Sequence, residues 1–357
     1  MTIPSILSGK MALPVMASPL FLISGPELVI AQCKAGVIGS FPALNARPAE
    51  ALDGWLDQIS NELQQFAQVH PDRRVSPFAV NQICHPTNDR LRADMKLCVK
   101  HRVPIIITSL QLPEWLVEEA HAYGALVFHD VTNIKHAKRA AKLGVDGLIL
   151  VCAGAGGHAG ALSPFALVRE VRQWFDKTVL MSGAISDGYG IAAAQMMGAD
   201  LAYVGTRFIA TEEANASDGY KGMLVDHDAA DIVYTNLITG VHGNYLAPSL
   251  IAAGLDPENL PVSDKSKMNF GSGGNTKAKA WKDIWGAGQG LGTITDAPRV
   301  DDLVTRMREE YSLAVTRFGN LNGGDVFVPP ADQSMKVERA GQKSLSRYLT
   351  RRTNNMR

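Results

Sequence analysis

The sequence predicts an α/β chain folded as an eightfold βα barrel of the TIM type, with a mainly helical lid region inserted after the eighth unit. Two observations carry this. Short apolar runs alternate with amphipathic stretches of helical period throughout residues 1–209. Most of those runs are continuously apolar, as parallel strands covered by helices should be. An open doubly wound sheet is the competing architecture, because periodicity does not report closure.

The strands are expected at 13–17, 37–41, 77–81, 104–109, 125–131, 147–152, 178–182 and 202–206. Helical patterns fall between them at 26–34, 49–68, 88–100, 114–122, 134–143, 164–175 and 190–197. Ser163-Pro164 sets a capping hydroxyl before a proline at a first helical position, and Gly144 reads as a helix stop. After residue 209 the rhythm changes. Residues 210–285, with the irregular polar segment 263–279, are expected to form the lid. Residues 286–330 should return to the barrel with a helix near 300–316, and 331–357 form a tail rich in Lys and Arg. That tail is read as solvated, with a contact between subunits of a homo-oligomer as the other option.

The charge balance excludes several classes. The 357 residues carry 35 Lys and Arg against 35 Asp and Glu, so no general attraction to nucleic acid is expected. Cys33, Cys84, Cys98 and Cys152 form no Cys-x-x-Cys pair, which argues against a zinc site or a disulfide framework and fits a reduced cytoplasmic compartment. No metal is expected. The first ten residues lack a signal-peptide pattern, and no stretch of about 18 uncharged apolar residues suggests a membrane span.

In a barrel the chemistry sits at the strand C-termini. Gly183-Ala184 follow the seventh strand and Gly205-Thr206 end the eighth, so these neighbouring loops and a nearby helix start can form a cup for a cofactor phosphate. Ser182 and Thr206 hydroxyls add donors. Two ordinary tight turns are the plainer reading. After the sixth strand, Gly154-Ala155-Gly156-Gly157-His158-Ala159-Gly160 sets one imidazole among residues with small side chains. It is not a dinucleotide fingerprint, since Ala159 stands where that motif needs glycine, and 286–292 fails similarly at Leu291. His158 can donate to an anion or accept a proton from carbon.

Asn81 closes the third strand, where a carboxamide matches a ring edge or, equally, caps a turn. His129 and Asp130 close the fifth strand and are read first as packing groups, with function in reserve. His242 and Tyr245 follow Gly240 as reserve pocket residues, with a helix-linking turn as the plainer reading. The other histidines are expected at the surface.

These residues resemble the nitronate monooxygenase family, formerly called 2-nitropropane dioxygenases: FMN-dependent barrels related to flavin enoyl-ACP reductases and the inosine monophosphate dehydrogenase superfamily. The resemblance rests on Leu13-Pro14-Val15-Met16-Ala17, Val80-Asn81, Ala155-Gly156-Gly157-His158-Ala159-Gly160, Ser182-Gly183-Ala184-Ile185, Met197-Gly198-Ala199-Asp200, Gly205-Thr206-Arg207-Phe208 and Trp285-Gly286-Ala287-Gly288-Gln289-Gly290, in the family's order. It implies His158 as the catalytic residue and Asn81 as a flavin contact. Ala17 and Ser18 would border the ring. Gly156, Gly157, Ser182, Gly183, Ala184, Gly205, Thr206 and Gln289 would hold or approach FMN. His129, His242 and Tyr245 remain as substrate contacts.

The implied reaction is oxidation of alkyl nitronates by flavin and dioxygen to a carbonyl compound and nitrite. An NAD(P)H-dependent FMN reductase of quinones or enoyl thioesters is the close alternative, and a sugar-phosphate barrel without redox chemistry the distant one. The sequence also departs from its relatives. Val151 stands where many have a polar residue, Ala184 where they have glycine, and Asp130 where some have lysine. The 242–245 segment lacks the basic stretch common elsewhere.

Overall fold

The computed structural model describes residues 3–238, 240–262 and 284–320. Eight parallel strands form the expected sheet: β1 (Val15–Ala17), β2 (Gly39–Pro42), β3 (Phe78–Cys84), β4 (Ile105–Leu110), β5 (Leu126–Val131), β6 (Gly147–Val151), β8 (Thr178–Ser182) and β9 (Leu201–Val204). Their order is β1-β9-β8-β6-β5-β4-β3-β2. The two ends meet: Ala17 donates its N–H to the Ile38 carbonyl at 2.8 Å, and Ile38 donates back to Val15 at 3.0 Å. The sheet is therefore a barrel, and the open-sheet alternative is set aside.

Two cores follow from strand pleating, which sends alternate side chains to opposite faces. Met16, Ile38, Ala79, Ile105, Ile107, Phe128, Ile149, Leu180 and Leu201 point inward and fill the barrel, with Leu7 buried against them. Their neighbours, such as Val15, Val80, Ile106, Val127 and Leu148, face the helices.

Those helices are α1 (Pro26–Lys34), α2 (Ala51–Val69), α3 (Leu91–Lys100), α4 (Glu114–Ala122), α5 (Ile134–Lys142), α6 (Pro164–Val171) and α7 (Gly188–Met197), followed by the single turn α8 (Thr206–Ile209). Asn133 and Asp187 accept backbone hydrogen bonds as N-caps of α5 and α7. Ser163 precedes α6 but makes no such bond, so Pro164 with its fixed φ supplies that start. Gly144 ends the α5 turn at φ 86°, as its stop pattern suggested.

The region 210–285 combines helices with two strands that the sequence reading did not anticipate. Its described part holds α9 (Asp218–Asp226) and α10 (Ala247–Ala252), but also strands β10 (Ile232–Thr235) and β11 (Gly243–Leu246). These form an antiparallel sheet in the order β10-β11-β7, where β7 is Gly157–His158 from the loop after β6. The expected polar segment 263–279 and the tail 331–357 lie outside the described residues.

The chain then returns along the barrel. Buried Arg207 donates to Asp296 Oδ1 at 2.9 Å and to the Asp296 carbonyl at 3.0 Å, fixing this return. The last helix, α11 (Val300–Asn320), starts at the expected residue and runs past 316. Its Glu310 accepts the Gly188 N–H at 2.8 Å, and it packs so closely there that a Cβ on Gly188 would collide with the Met307 carbonyl. The chain divides into two compact units at Val315, with 316–357 as the second, described only to 320. No described helix is long and apolar enough to cross a membrane.

Candidate active site

The cavity of interest, about 850 Å³, opens at the C-terminal ends of the barrel strands. Its floor follows from the same alternation that fills the barrel. Two residues beyond the filling Ala79, Ile107, Phe128, Ile149, Leu180 and Leu201 come Asn81, Ser109, Asp130, Val151, Ser182 and Tyr203, and all six line the cavity. One step along the strands therefore converts an apolar core into a mostly polar ring. Val151 is the apolar gap in that ring.

Three ring members are joined. Asn81 Nδ2 donates to Ser109 Oγ at 2.8 Å and, longer, to the Ile107 carbonyl at 3.4 Å. Ser109 donates to Asp130 Oδ2 at 2.6 Å. The Ile107 carbonyl can only accept, which fixes the amide's orientation and leaves the Asn81 carbonyl as its remaining capacity. Asn81 thus cannot present both a donor and an acceptor to a ring edge. Asp130 Oδ1 and the Tyr203 hydroxyl are buried without a partner among the described residues. Burial, opposed by the Ser109 hydrogen bond, pushes the Asp130 carboxyl up to about 6. Tyr203 is raised well above its ordinary value, first by burial and then by the Asp130 charge.

One wall is made of the predicted loops. Ser18, Gly156, Gly157, Gly183, Ala184, Gly205 and Thr206 all border the cavity. Gly183 has φ 129°, and a Cβ there would lie 2.6 Å from the Ala153 carbonyl. A Cβ on Gly156 would reach within 2.7 Å of Gly288 N, so the two glycines let the 154–157 and 286–290 loops touch. Ala184 takes the left-handed conformation, φ 55°, with its methyl exposed. An alanine holds this conformation at some strain, without a packing collision. Gly288 donates to Thr206 Oγ1 at 2.9 Å, which leaves the hydroxyl proton of Thr206 for another acceptor. The helix start facing the cavity is that of α8. The α7 start is engaged by its own Asp187 and by Glu310.

His158 faces the opposite side on β7, where it pairs with Gly243. The residue is half-buried on the cavity wall, and the desolvation it meets there pushes the imidazole down to about 4, so it is neutral near pH 7. Beyond it the lining turns apolar, with Leu20, Phe21, Leu44, Ile209, Ile238 and Trp285. Trp285 stacks on Tyr220 at 4.9 Å, and Tyr220 donates to the Gly286 carbonyl.

Five predicted residues stand elsewhere. Ala17 is fully buried in the helix-facing core, one pleat away from the interior, and only its neighbour Ser18 reaches the cavity. His129 alternates to the outside between Phe128 and Asp130, where Thr108 Oγ1 meets its Nδ1 at 2.8 Å. It lines no part of the cavity. Burial pushes it down to about 4, partly countered by Thr108. His242 is exposed and stacks on Tyr234 at 5.0 Å, while its neighbour Val241 lines the cavity. Tyr245 is buried with Ile238, Leu250 and Ile284 in a small core within the inserted segment. Gln289 is exposed, lies against Gly154 and donates its N–H to that carbonyl at 2.9 Å; Gly288 and Gly290 line the cavity instead.

Sequence reasoning missed Ser109 and Tyr203 and ranked Asp130 as packing. Their signal was present as polar residues two positions after a barrel-filling side chain on three strands. Among the described residues, no group of three or more His, Cys, Asp or Glu is arranged to hold a metal.

The family model for nitronate monooxygenase matches residues 45–310, which include Asn81, His158, both glycine loops and most of the return segment. The chain belongs to the nitronate monooxygenase family. It is accordingly a flavin-type oxidoreductase. A nitronate monooxygenase of Paraburkholderia phytofirmans is 26% identical over 349 residues, covering 85% of this chain and 93% of that protein. A putative monooxygenase of Mycobacterium tuberculosis is 30% identical over 236 residues, covering 62% of each. In fold the chain is similar to a nitroalkane oxidase from Streptomyces ansochromogenes, with TM-score 0.71 and 22% identity over 88% of this chain and all of that one. It is equally similar to FabK from Thermotoga maritima, with TM-score 0.70 and 22% identity over 88% and 97% of the two chains.

Proposed function

We propose that this member of the family is an FMN-dependent nitronate monooxygenase, oxidising alkyl nitronates with dioxygen to a carbonyl compound and nitrite. One observation carries the reading: a neutral imidazole and a glycine-lined cup share a cavity whose polar floor has buried atoms without partners among the described residues. The residues fit a flavin. The cavity lies within the roughly 300–1,000 Å³ typical of cofactor sites. The Gly183, Ala184, Gly205 and Thr206 loops would hold the phosphate and ribityl chain, with Ser182 adding a hydroxyl. Asn81, Asp130 and Tyr203 would meet the ring.

When bound, FMN would supply the acceptor for substrate electrons and pass them to dioxygen. The chain's own residues supply binding and proton handling. A neutral His158 carries a hydrogen on one ring nitrogen and a lone pair on the other. Its N–H would hold a nitronate oxygen, while its lone pair would take the α proton from a neutral nitroalkane. A fixed donor in a site sheltered from water stabilises developing anionic charge more than water does. The apolar lining would take the alkyl group.

The same cavity also suits reduction of quinones or enoyl thioesters by NAD(P)H, and the co-substrate separates the two readings. Purified protein supplied with FMN and an alkyl nitronate in air should release nitrite without added nicotinamide. Nitrite release that requires NADH or NADPH, or none under any condition, would contradict the monooxygenase reading.

A further inference from the structure

We propose that Asp130 is a positioning residue of this cavity, holding Asn81 through Ser109, and that filling the cavity with flavin is accompanied by proton uptake at its carboxyl group. The proposal rests on the flavin reading above.

The geometry fixes the direction of every bond in the chain of three. Asn81 donates to Ser109, so the single Ser109 proton goes to Asp130 Oδ2. Oδ2 is therefore an acceptor in either protonation state. A proton taken up by Asp130 belongs on Oδ1, the oxygen without a partner among the described residues. Loss of the carboxyl group frees Ser109, and with it the amide that aims the Asn81 carbonyl.

Asp130 makes no ion pair among the described residues. The titratable and charged groups sharing its cavity are Tyr203 on β9, His158 on β7, His136 on α5, Tyr220 on α9, whose hydroxyl donates to the Gly286 carbonyl, and Arg47 and Arg90 on the loops after β2 and β3. Arg90 is paired with Asp94 at 3.0 Å, and the neutral form of His158 adds no positive charge. A single hydrogen bond thus supports the buried carboxylate, which already holds its proton up to about 6. A ligand filling the cavity removes the remaining water and penalises the charged form further. Raising the proton affinity on binding means, by linkage, that binding is tightest at low pH and weakens as pH rises above about 6.

The test titrates the full-length chain, freed of flavin, with FMN by fluorescence quenching at pH values from roughly 5.5 to 8.5. The FMN phosphate itself titrates near 6, so riboflavin, which lacks it, is titrated in parallel. With riboflavin the dissociation constant should rise roughly five- to tenfold between about pH 6 and 8, within the tenfold per unit that one proton allows, and the FMN profile should differ from it by the phosphate's own titration. Calorimetry of the wild type in two buffers of different ionisation enthalpy should register proton uptake, a readout that needs no variant. Asp130→Asn can still accept from Ser109, so it should bind at the tight, low-pH level with no riboflavin slope. Asp130→Ala and Ser109→Ala should weaken binding at every pH, whereas His136→Gln should keep the wild-type slope. A flat wild-type riboflavin profile, zero proton uptake, or an unchanged slope in Asp130→Asn would overturn the proposal. Failure to bind either flavin at any pH would instead contradict the flavin reading on which it rests.

Discussion

His158 pairs with Gly243 in antiparallel register, so the imidazole on the cavity wall is carried by the sheet of the inserted segment and not by a barrel strand. The eightfold scaffold and the insertion thus supply different parts of one site. The barrel provides the polar floor and the glycine loops, and β11 sets where the histidine stands.

That dependence is testable at Gly243. A Cβ there would sit 2.5 Å from the Gly157 carbonyl, so a valine must push β7 away. A displacement of about 1 Å in a reacting group costs on the order of 100-fold. Gly243→Val should lower nitronate turnover by roughly that factor, with much less effect on FMN affinity. Equal losses in both would assign Gly243 to general folding.

The two glycine-flanked histidines should behave oppositely. His158→Ala is expected to retain flavin and lose roughly 100-fold or more in turnover, the scale of a positioned acid or base. His242→Ala should leave turnover within about twofold, because that ring is exposed on Tyr234. Steady-state kinetics on both variants check this, and unchanged turnover in His158→Ala would remove the residue from the mechanism.

Tyr203 carries a buried hydroxyl without a partner among the described residues. An unsatisfied buried polar group costs about 1–3 kcal/mol, so removing it should stabilise the flavin-free chain. Tyr203→Phe is expected to melt several degrees higher than wild type without FMN and to lose part of that advantage with FMN present. A lower melting temperature without FMN would mean that the hydroxyl already has a partner.

Acid should destabilise the fold through its buried rings. His129 and His158 fall from 6.5 to about 4 on burial, so the unfolded chain binds more protons between those values. Their neutral forms contribute stability fully above about 6.5, and it is lost as pH falls towards about 4. Asp130, raised from 3.8 to about 6, acts in the opposite sense, and its contribution is lost as pH rises through that interval. Melting temperatures measured downward from neutral pH should fall, with a shallower slope in His129→Gln. An unchanged slope in that variant would show that His129 takes up its proton as readily in the fold as in the unfolded chain, contradicting the burial effect.

The barrel was legible because its strands are local apolar runs whose period and length differ from those of the helices. Most core residues could be found that way. Facing was harder: in a continuously apolar strand, Phe128 and His129 look alike, and only register against neighbouring strands shows that Phe128 and Asp130 point in while His129 points out. The same parity hid Ser109 and Tyr203 and misdirected Ala17. Strands β10 and β11 were missed for another reason. Their sheet is completed by β7, 74 residues before β10 in the chain, so no local pattern signals it. Glycine loops were the opposite case, since close backbone approach at Gly156 and positive φ at Gly183 require the residue type itself.

The most direct measurement is anaerobic stopped-flow absorbance of the FMN-loaded protein mixed separately with an alkyl nitronate, NADH and NADPH. The account predicts rapid loss of the visible flavin band with the nitronate alone and nitrite release once oxygen is admitted. A flavin that is bleached by a nicotinamide and left unchanged by the nitronate would contradict it.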